Sequence, residues 1–214
     1  MTEGMNAQFS RQNWWLFRHA PVTAPTLYGQ LDIDADLPSD SVFKGVSAIL
    51  PSRFRLISSD LRRCRQTAEK IAEHHPTKPD IAQTLPGFRE QHFGYWQGLS
   101  YQQIEDANKS EYDAFWQNPV SHKPPGGESF EQLAERVCEL RRSITEHENA
   151  EDVLLVSHAG TIRALVAEAL DIPLARSLSL VIEPLSLTKL TVFNSSEGES
   201  WQVTCVNQSV IQAG

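Results

Sequence analysis

Two histidines and a neighbouring arginine of this 214-residue chain stand directly after, or at the end of, short apolar runs. Arg18 and His19 follow the run Asn13–Phe17, and His158 follows the run Asp152–Ser157. A neutral imidazole is a nucleophile that can attack phosphorus. Guanidinium groups bind phosphate oxygens well, because their N–H groups match the spacing of those oxygens. The pattern therefore predicts transfer or hydrolysis of a phosphoryl group.

A second arginine-rich cluster stands in the same kind of position. Arg62 and Arg63 come shortly after the run Phe54–Ser58. Alone, each of these arginines would most often be a solvated helix charge. Helices that begin near Asp60 and Gly160 would add backbone N–H donors for an anion. The shared position after a buried strand favours an anion site in which at least one of the two arginines takes part.

The elements that must position these groups can be read from the apolar pattern. The three runs are short and nearly continuous, as in strands buried on both faces of a sheet. Helical patterns separate them, which predicts an α/β three-layer sandwich with a mostly parallel central sheet flanked by helices. The carboxyl ends of such strands meet at one edge of the sheet, so the polar clusters should converge there. The helical patterns cover residues 39–50, 61–75, 128–147 and 161–170.

The segment from about 86 to 127 has a different character. It contains Gly, Pro and unevenly spaced aromatic residues, with two short helical patterns near 100–107 and 110–117. We expect it to form a helical and loop cap over the site. Trp96, Phe115 and Trp116 would either line an apolar wall for the substrate or pack the cap itself.

The end of the chain contains three further apolar patterns, over residues 178–183, 186–193 and 201–207. Each is expected to be a strand, and the last two are expected to form a hairpin. Residues 1–12 lack periodicity and are expected to be a flexible extension of one domain that covers 13–214. The possible edge strands near the C-terminus allow a homodimer but do not specify one.

Composition narrows the classes of partner. The formal net charge of -8 argues against binding to nucleic acid or to an anionic membrane. No apolar run reaches the roughly 18 residues of a membrane helix, and the first residues lack the apolar stretch of a signal peptide, so we expect a cytoplasmic protein. Cys64, Cys138 and Cys205 are odd in number and far apart, which favours free thiols over disulfides or a zinc site.

Five stretches occur in an order that resembles the histidine phosphatase superfamily, also called phosphoglycerate mutase-like proteins. They are "FRHAP", "SSDLRRCRQTA", "FREQHFGYWQG", "PPGGESF" and "LLVSHAGTIRAL", and the resemblance spans Trp14 to about Ala167. It implies that His19 becomes transiently phosphorylated. It also implies, by register, that Arg63 rather than Arg62 binds the phosphoryl group. No metal or cofactor is implied.

The resemblance assigns further roles by matching position. Arg18 and His158 would hold the phosphoryl group together with Arg63. Glu90 would protonate the leaving alcohol and later activate water. Independently of the resemblance, Gly160 is a candidate phosphate contact, because it stands at the expected start of a helix.

Some positions depart from the family pattern. Ala20, Pro21 and Pro25 stand where the family usually has Gly, Glu and Asn. The loop around them resembles a bacterial subset described as alpha-ribazole phosphatases, which makes Tyr28, Gly29 and Gln30 candidate substrate contacts. The resemblance therefore favours a phosphomonoesterase acting on alpha-ribazole 5′-phosphate in assembly of the cobalamin nucleotide loop. The alternatives are a broad-specificity phosphatase, a phosphoglycerate mutase and a noncatalytic module that binds phosphorylated ligands.

Other polar residues have simpler expected roles. Asp32, Asp34 and Asp36 are expected to be solvated loop charges rather than metal ligands. His92 would either tune the Glu90 loop or pack within it. Glu128 and Ser129 start a helix and are secondary candidates for the site.

Overall fold

One six-stranded sheet forms the centre of the computed structural model, which describes residues 10–147 and 150–210. The strands are β1 (Ser10–Arg18), β2 (Arg55–Ser58), β3 (Ile81–Thr84), β4 (Asp152–Ser157), β5 (Leu187–Ser195) and β6 (Gly198–Gln208). Their order is β3-β2-β4-β1-β5-β6. The first four run parallel, whereas β5 and β6 pair antiparallel at one edge. The predicted α/β fold is confirmed. The sheet is mixed, and the three strands expected from the apolar runs, β1, β2 and β4, lie in its parallel part.

Helices cover both faces of the sheet and also build the cap. They are α1 (Asp40–Ala48), α2 (Arg62–His74), α3 (Tyr101–Ala107), α4 (Lys109–Gln117), α5 (Phe130–His147), α6 (Ala159–Leu170) and α7 (Leu174–Ser177). Within the described residues, no helix is long and apolar enough to cross a membrane.

The alternation of side chains along the strands explains why their apolar runs are continuous. Trp14 and Leu16 of β1 pack into the cluster formed with α5 and α6. Phe17, one residue further, packs into the opposite cluster with α1 and α2. Successive side chains of a strand point to opposite faces, so a strand covered on both faces needs apolar residues at nearly every position. The same burial holds β1 and β4 side by side and brings Arg18 level with Ser157.

The cap folds around a small apolar cluster of its own. Trp96, Ile104 and Phe115 are buried together. Ser100 begins α3 with a reciprocal capping box to Gln103, which satisfies two backbone N–H groups at that end. The two predicted cap helices are therefore present as α3 and α4.

Two expectations about the elements are corrected. The strand expected at 178–183 is wrong, because that segment forms a turn and irregular backbone outside the sheet. Two carbonyls of that segment instead accept from arginine side chains, Leu180 from Arg163 and Ile182 from Arg18. Residues 10–12 belong to β1 rather than to the expected extension, of which residues 1–9 lie outside the described part. The short elements β3 and α7 were not anticipated. The predicted C-terminal hairpin is present as β5 and β6.

Candidate active site

His19 lies immediately after β1 with its side chain buried. Its backbone N–H donates to the Ser157 carbonyl at 2.9 Å, which ties it to the end of β4. Its ring Nδ1 lies 2.6 Å from the Ala20 carbonyl, so Nδ1 carries the proton that this bond needs. The lone pair is then on Nε2. Burial, and secondarily the Arg63 cation, lower the pKa of His19 well below its usual value, which keeps the imidazole neutral and nucleophilic.

Arg63 lies at the start of α2 with its side chain fully buried. Its Nη2 donates to the Gly29 carbonyl at 2.6 Å and lies 3.3 Å from Nδ1 of His158. The neighbouring Arg62 points away, exposed, and pairs with Asp32 and Asp34. The structure thus places Arg63, and not Arg62, beside the histidines. Asp32 and Asp34 therefore form ion pairs with Arg62.

Two arginine nitrogens at this position are buried without a hydrogen-bond partner. They are Nε of Arg18 and Nε of Arg63. Arg18 is otherwise held through Nη1, which donates to the Ile182 carbonyl at 2.6 Å. Buried donors are nearly always paired in folded proteins, and these two exceptions leave the guanidinium groups of Arg18 and Arg63 incompletely satisfied.

His158 caps the start of α6 and is also fully buried. Its ring centroid lies 5.2 Å from that of His19. Nδ1 accepts from Arg63, so Nε2 carries the proton and donates to Oγ of Ser59 at 3.0 Å. Burial first, then the charge of Arg63, lower the pKa of His158 well below its usual value. Both imidazoles are therefore neutral at neutral pH.

Cys64 lies against the same histidine. Its Sγ is 3.4 Å from Nε2 of His158. Burial raises the pKa of this thiol far above its usual value, which makes it an unreactive packing group. All three cysteines are free thiols.

The loop Tyr28–Gln30 shapes the site from the opposite side. The Tyr28 ring stands at 66° to the His19 ring, with 6.4 Å between centroids, and lies 5.0 Å from the Arg63 guanidinium carbon. The Gly29 carbonyl accepts from Arg63, and Nε2 of Gln30 donates to the Glu90 carbonyl at 2.9 Å. Gly29 has a positive φ of 43°, and a Cβ there would lie 2.6 Å from Oε1 of Gln97. In this arrangement Gly29 and Gln30 hold other site residues, while Tyr28 lines the cavity.

Glu90 presents its carboxylate to the same cavity. Its oxygens accept from the backbone N–H of Gln91 at 2.9 Å and from that of Gly160 at 3.2 Å. A Cβ at Gly160 would lie 2.2 Å from Oε1 of Glu90, so only glycine permits this approach. The glycine after His158 and Ala159 thus positions a carboxylate at the entrance of the site.

Arg136, which the sequence analysis did not single out, braces the Glu90 loop. It donates from Nη1 to the Gly87 carbonyl at 2.8 Å and from Nη2 to the Glu90 carbonyl at 3.0 Å. Its guanidinium also binds the Glu128 carboxylate through Nε and Nη2, at 3.0 and 2.7 Å. Glu128 therefore reaches the site through Arg136. Ser129 caps α5 by accepting from the Gln132 N–H at 3.2 Å.

His92, in the same loop, has a local structural role. Its Nδ1 accepts the backbone N–H of Gly94 at 3.1 Å. Its own N–H donates to Oε1 of Glu128 at 2.9 Å. Both contacts order the turn after Glu90.

Two adjoining cavities open beside this constellation. One, of about 250 Å³, is lined by Arg18, Tyr28, Glu90 and Gly160. The other, of about 380 Å³, lies under the cap. They share lining residues, so they lie next to each other and are together called the cleft. A larger open cleft of about 850 Å³ lies near the amino ends of β2 and β4 and contains none of these groups. The shared lining residues are Leu27, Gln91, Phe93, Tyr101, Arg163 and Leu178.

The cavity under the cap has an aromatic wall. Trp96 and Phe115, whose role the sequence left open, are buried in the cap cluster and also reach this cavity. Trp116 and Tyr101 are about half exposed, at 49% and 53%. The six aromatic residues in the lining are Phe93, Trp96, Tyr101, Tyr112, Phe115 and Trp116.

Comparisons with known proteins agree with this geometry. The family model described as "Histidine phosphatase superfamily (branch 1)" matches residues 14–209. Glucosyl-3-phosphoglycerate phosphatase of Mycobacterium tuberculosis is 35% identical over 159 residues, which cover 70% of this chain and 70% of the relative. Adenosylcobalamin/alpha-ribazole phosphatase of Salmonella typhimurium is 30% identical over 124 residues, which cover 56% of this chain and only 58% of the relative.

Solved structures show the same architecture. A mycobacterial glucosyl-3-phosphoglycerate phosphatase, solved in complex with VO3, superposes with a TM-score of 0.77 at 27% identity. The superposition covers 92% of this chain and 100% of that structure.

Proposed function

This chain belongs to the histidine phosphatase superfamily and is a phosphoric monoester hydrolase, and from that premise we propose that it hydrolyses alpha-ribazole 5′-phosphate through a phosphohistidine at His19. The reaction would serve assembly of the cobalamin nucleotide loop. The observation that carries the choice of substrate is the aromatic cavity, which adjoins the cavity lined by Arg18 and Glu90.

In the first step, Nε2 of His19 attacks the phosphorus in line. The new P–N bond forms as the P–O bond to the alcohol breaks, and Glu90 gives its proton to the departing oxygen. The proton on Nδ1 stays hydrogen-bonded to the Ala20 carbonyl, which supports the positive charge that develops on the ring. Arg18, Arg63 and His158 would stabilise the nonbridging oxygens. Preorganised donors of this kind are worth several kcal/mol of the barrier.

In the second step, water attacks the phosphohistidine. Glu90, now ionised, accepts a proton from that water as the P–N bond breaks. Inorganic phosphate and neutral His19 result. Glu90 lines the cavity beside Arg18, and two backbone N–H groups fix the position of its carboxyl group, so the same group can serve both steps.

The aromatic cavity supports a leaving group that carries a flat ring. Its volume of about 380 Å³ falls at the lower end of the range for small-ligand sites, which are commonly about 300–1,000 Å³. Aromatic side chains stack well on the flat face of a heterocycle. Alpha-ribazole consists of such a ring joined to the ribose that bears the phosphate.

A second candidate is a phosphorylated hydroxy acid such as glucosyl-3-phosphoglycerate. Two observations favour it. One is the 35% identity to the mycobacterial phosphatase with that name. The other is a partly buried arginine, Arg163, that lines the cleft on the leaving-group side. A broad-specificity phosphatase would use the same chemistry without a preference, and a phosphoglycerate mutase would have to exclude water from the phosphohistidine.

The test is phosphate release without added metal from a panel of phosphomonoesters. The panel contains alpha-ribazole 5′-phosphate, glucosyl-3-phosphoglycerate, 3-phosphoglycerate, sugar phosphates and nucleotides. We expect the highest kcat/KM for alpha-ribazole 5′-phosphate and loss of all turnover in His19→Ala. The exposed helix-end residue His147 provides a matched control, His147→Ala, which should retain full activity.

Each other outcome has a definite meaning. A preference for glucosyl-3-phosphoglycerate would replace the proposed substrate and retain the mechanism. A flat profile would assign a broad-specificity phosphatase, and phosphoryl transfer between phosphoglycerates that exceeds hydrolysis would assign a mutase. Turnover that survives His19→Ala would refute the phosphohistidine mechanism.

A further inference from the structure

Arg163 is a side chain of the cleft to which the mechanism above gives no task. It lies on α6, five residues after His158. It lines both the cavity of about 250 Å³ beside Arg18 and the aromatic cavity of about 380 Å³. Among the described residues, its one hydrogen bond runs from Nε to the Leu180 carbonyl at 2.9 Å. Nη1 and Nη2 make none, and neither is among the buried nitrogens enclosed without a partner. Two donor groups of Arg163 are therefore open to a ligand.

Among the described residues, the positive charge of Arg163 also has no carboxylate partner within ion-pair distance. No carboxylate in residues 10–147 or 150–210 forms an ion pair with it, and Glu90 is the carboxylate that acts on it from further away. Burial and the Arg18 cation lower its pKa. Arg136 and Arg141 differ in this respect, since Arg136 pairs with Glu128 and Arg141 with Glu168. A desolvated cation without a partner costs stability, and proteins usually keep one where a ligand supplies the partner.

We propose that Arg163 is a specificity-determining residue whose Nη1 and Nη2 groups bind two neighbouring oxygens of the leaving alcohol. Because Arg163 lines both cavities, these oxygens would lie between the phosphate and the part of the substrate that occupies the aromatic cavity. Two chemical groups present oxygens at the spacing of a guanidinium edge, namely a carboxylate and a vicinal diol. The inference rests on the proposed phosphatase site and identifies how that site selects its alcohol.

The test compares three substrates in wild type, Arg163→Met and Arg163→Lys. They are 3-phosphoglycerate, with a carboxylate, alpha-ribazole 5′-phosphate, with a ribose diol, and phenyl phosphate, with neither. One hydrogen bond from a charged donor is worth about 10- to 100-fold in kcat/KM, so loss of two should cost at least this factor. We expect Arg163→Met to lose this factor, mainly through KM, on at least one oxygen-bearing substrate and to stay within about 3-fold of wild type on phenyl phosphate. Arg163→Lys should recover only part of the loss, because an ammonium group cannot bind two oxygens side by side.

The outcomes separate selectivity from a structural role. A loss confined to 3-phosphoglycerate identifies a carboxylate ligand, and a loss confined to alpha-ribazole 5′-phosphate identifies a diol. Equal losses on all three substrates, or no loss on any, would overturn the inference. Arg176→Met provides the control, since Arg176 is exposed on α7 outside the lining of both cavities.

This test does not depend on the choice of physiological substrate. If wild type hydrolyses alpha-ribazole 5′-phosphate poorly, the proposed function fails, while the ratio of 3-phosphoglycerate to phenyl phosphate still tests Arg163. If alpha-ribazole 5′-phosphate is preferred and Arg163→Met leaves every ratio unchanged, the function stands and the inference about Arg163 fails.

Discussion

Substitution of Gly160 by alanine should separate the proton-donating role of Glu90 from phosphate binding. A Cβ at Gly160 would lie 2.2 Å from Oε1 of Glu90 and 3.3 Å from Cδ1 of Leu133. The first distance is far below an ordinary contact, so one of the two groups must shift. The carboxylate is the flexible end of a side chain, whereas Gly160 is fixed in the first turn of α6. We therefore expect Glu90 to move and the helix to stay.

The size of the effect follows from that displacement. To reach an ordinary contact distance of at least 3.4 Å, the carboxylate must move by about 1 Å and leave the Gly160 N–H. A misplacement of this size costs about 100-fold in rate, and the whole general-acid contribution is typically about 10²–10⁴-fold. An alkyl phosphate, which needs the proton, should lose about 100-fold in kcat/KM. An aryl phosphate with a good leaving group should lose less than about 5-fold, because phenolate departs without protonation.

The assay measures kcat/KM for an alkyl and an aryl phosphate, since this ratio reports the first chemical step and not the later attack of water. Alanine is also a better helix former than glycine by up to about 1 kcal/mol, so the melting temperature should not fall. Gly45→Ala in α1 is the matched control, because its Cβ would lie 3.6 Å from the nearest atom. Equal losses on both esters, or a normal alkyl-to-aryl ratio, would refute the assignment of Glu90 as the acid.

Three further predictions concern charge. The folded-state pKa values of His19 and His158 lie below the unfolded value, so their neutral burial contributes stability above pH 6.5 that is lost as pH falls below it. Each histidine should lower the free energy of unfolding by about 1.4 kcal/mol between pH 7.5 and 5.5. Urea unfolding at several pH values should therefore show a weaker pH dependence of this free energy in His19→Ala than in wild type. An equal pH dependence would contradict the prediction. Glu168→Gln deprives the buried Arg141 of one of two carboxylates and should cost about 3 kcal/mol in urea unfolding; a change below about 0.5 kcal/mol would count against the pair. Arg136→Lys should lower kcat/KM about 10-fold on alkyl phosphates and less on aryl phosphates, since it loosens the Glu90 loop; an unchanged ratio of the two would show that the brace is dispensable.

The sequence was informative wherever a signal is local. Continuous apolar runs predicted β1, β2 and β4, and the helices between them followed from their periodicity. The short β3 carried too few residues for a pattern, and it is half exposed at the sheet edge. The segment 178–183 looked like a strand because it is apolar, but it lies outside the sheet, and two of its carbonyls accept hydrogen bonds from Arg18 and Arg163 instead.

By itself, the sequence determined that Arg18, His19 and His158 would stand at the carboxyl ends of buried strands. A strand that is buried on both faces has apolar residues at consecutive positions, and such a run is visible in the sequence. The resemblance to a known family selected Arg63 and Glu90. Only the tertiary structure decided what holds Glu90 and what faces the leaving group. Gly160 is 70 residues from Glu90 in the chain, and no spacing rule connects them or places Arg163 in the cleft. Such contacts arise when separate elements pack together, so they become visible only once the sheet, α6 and the cap have their positions.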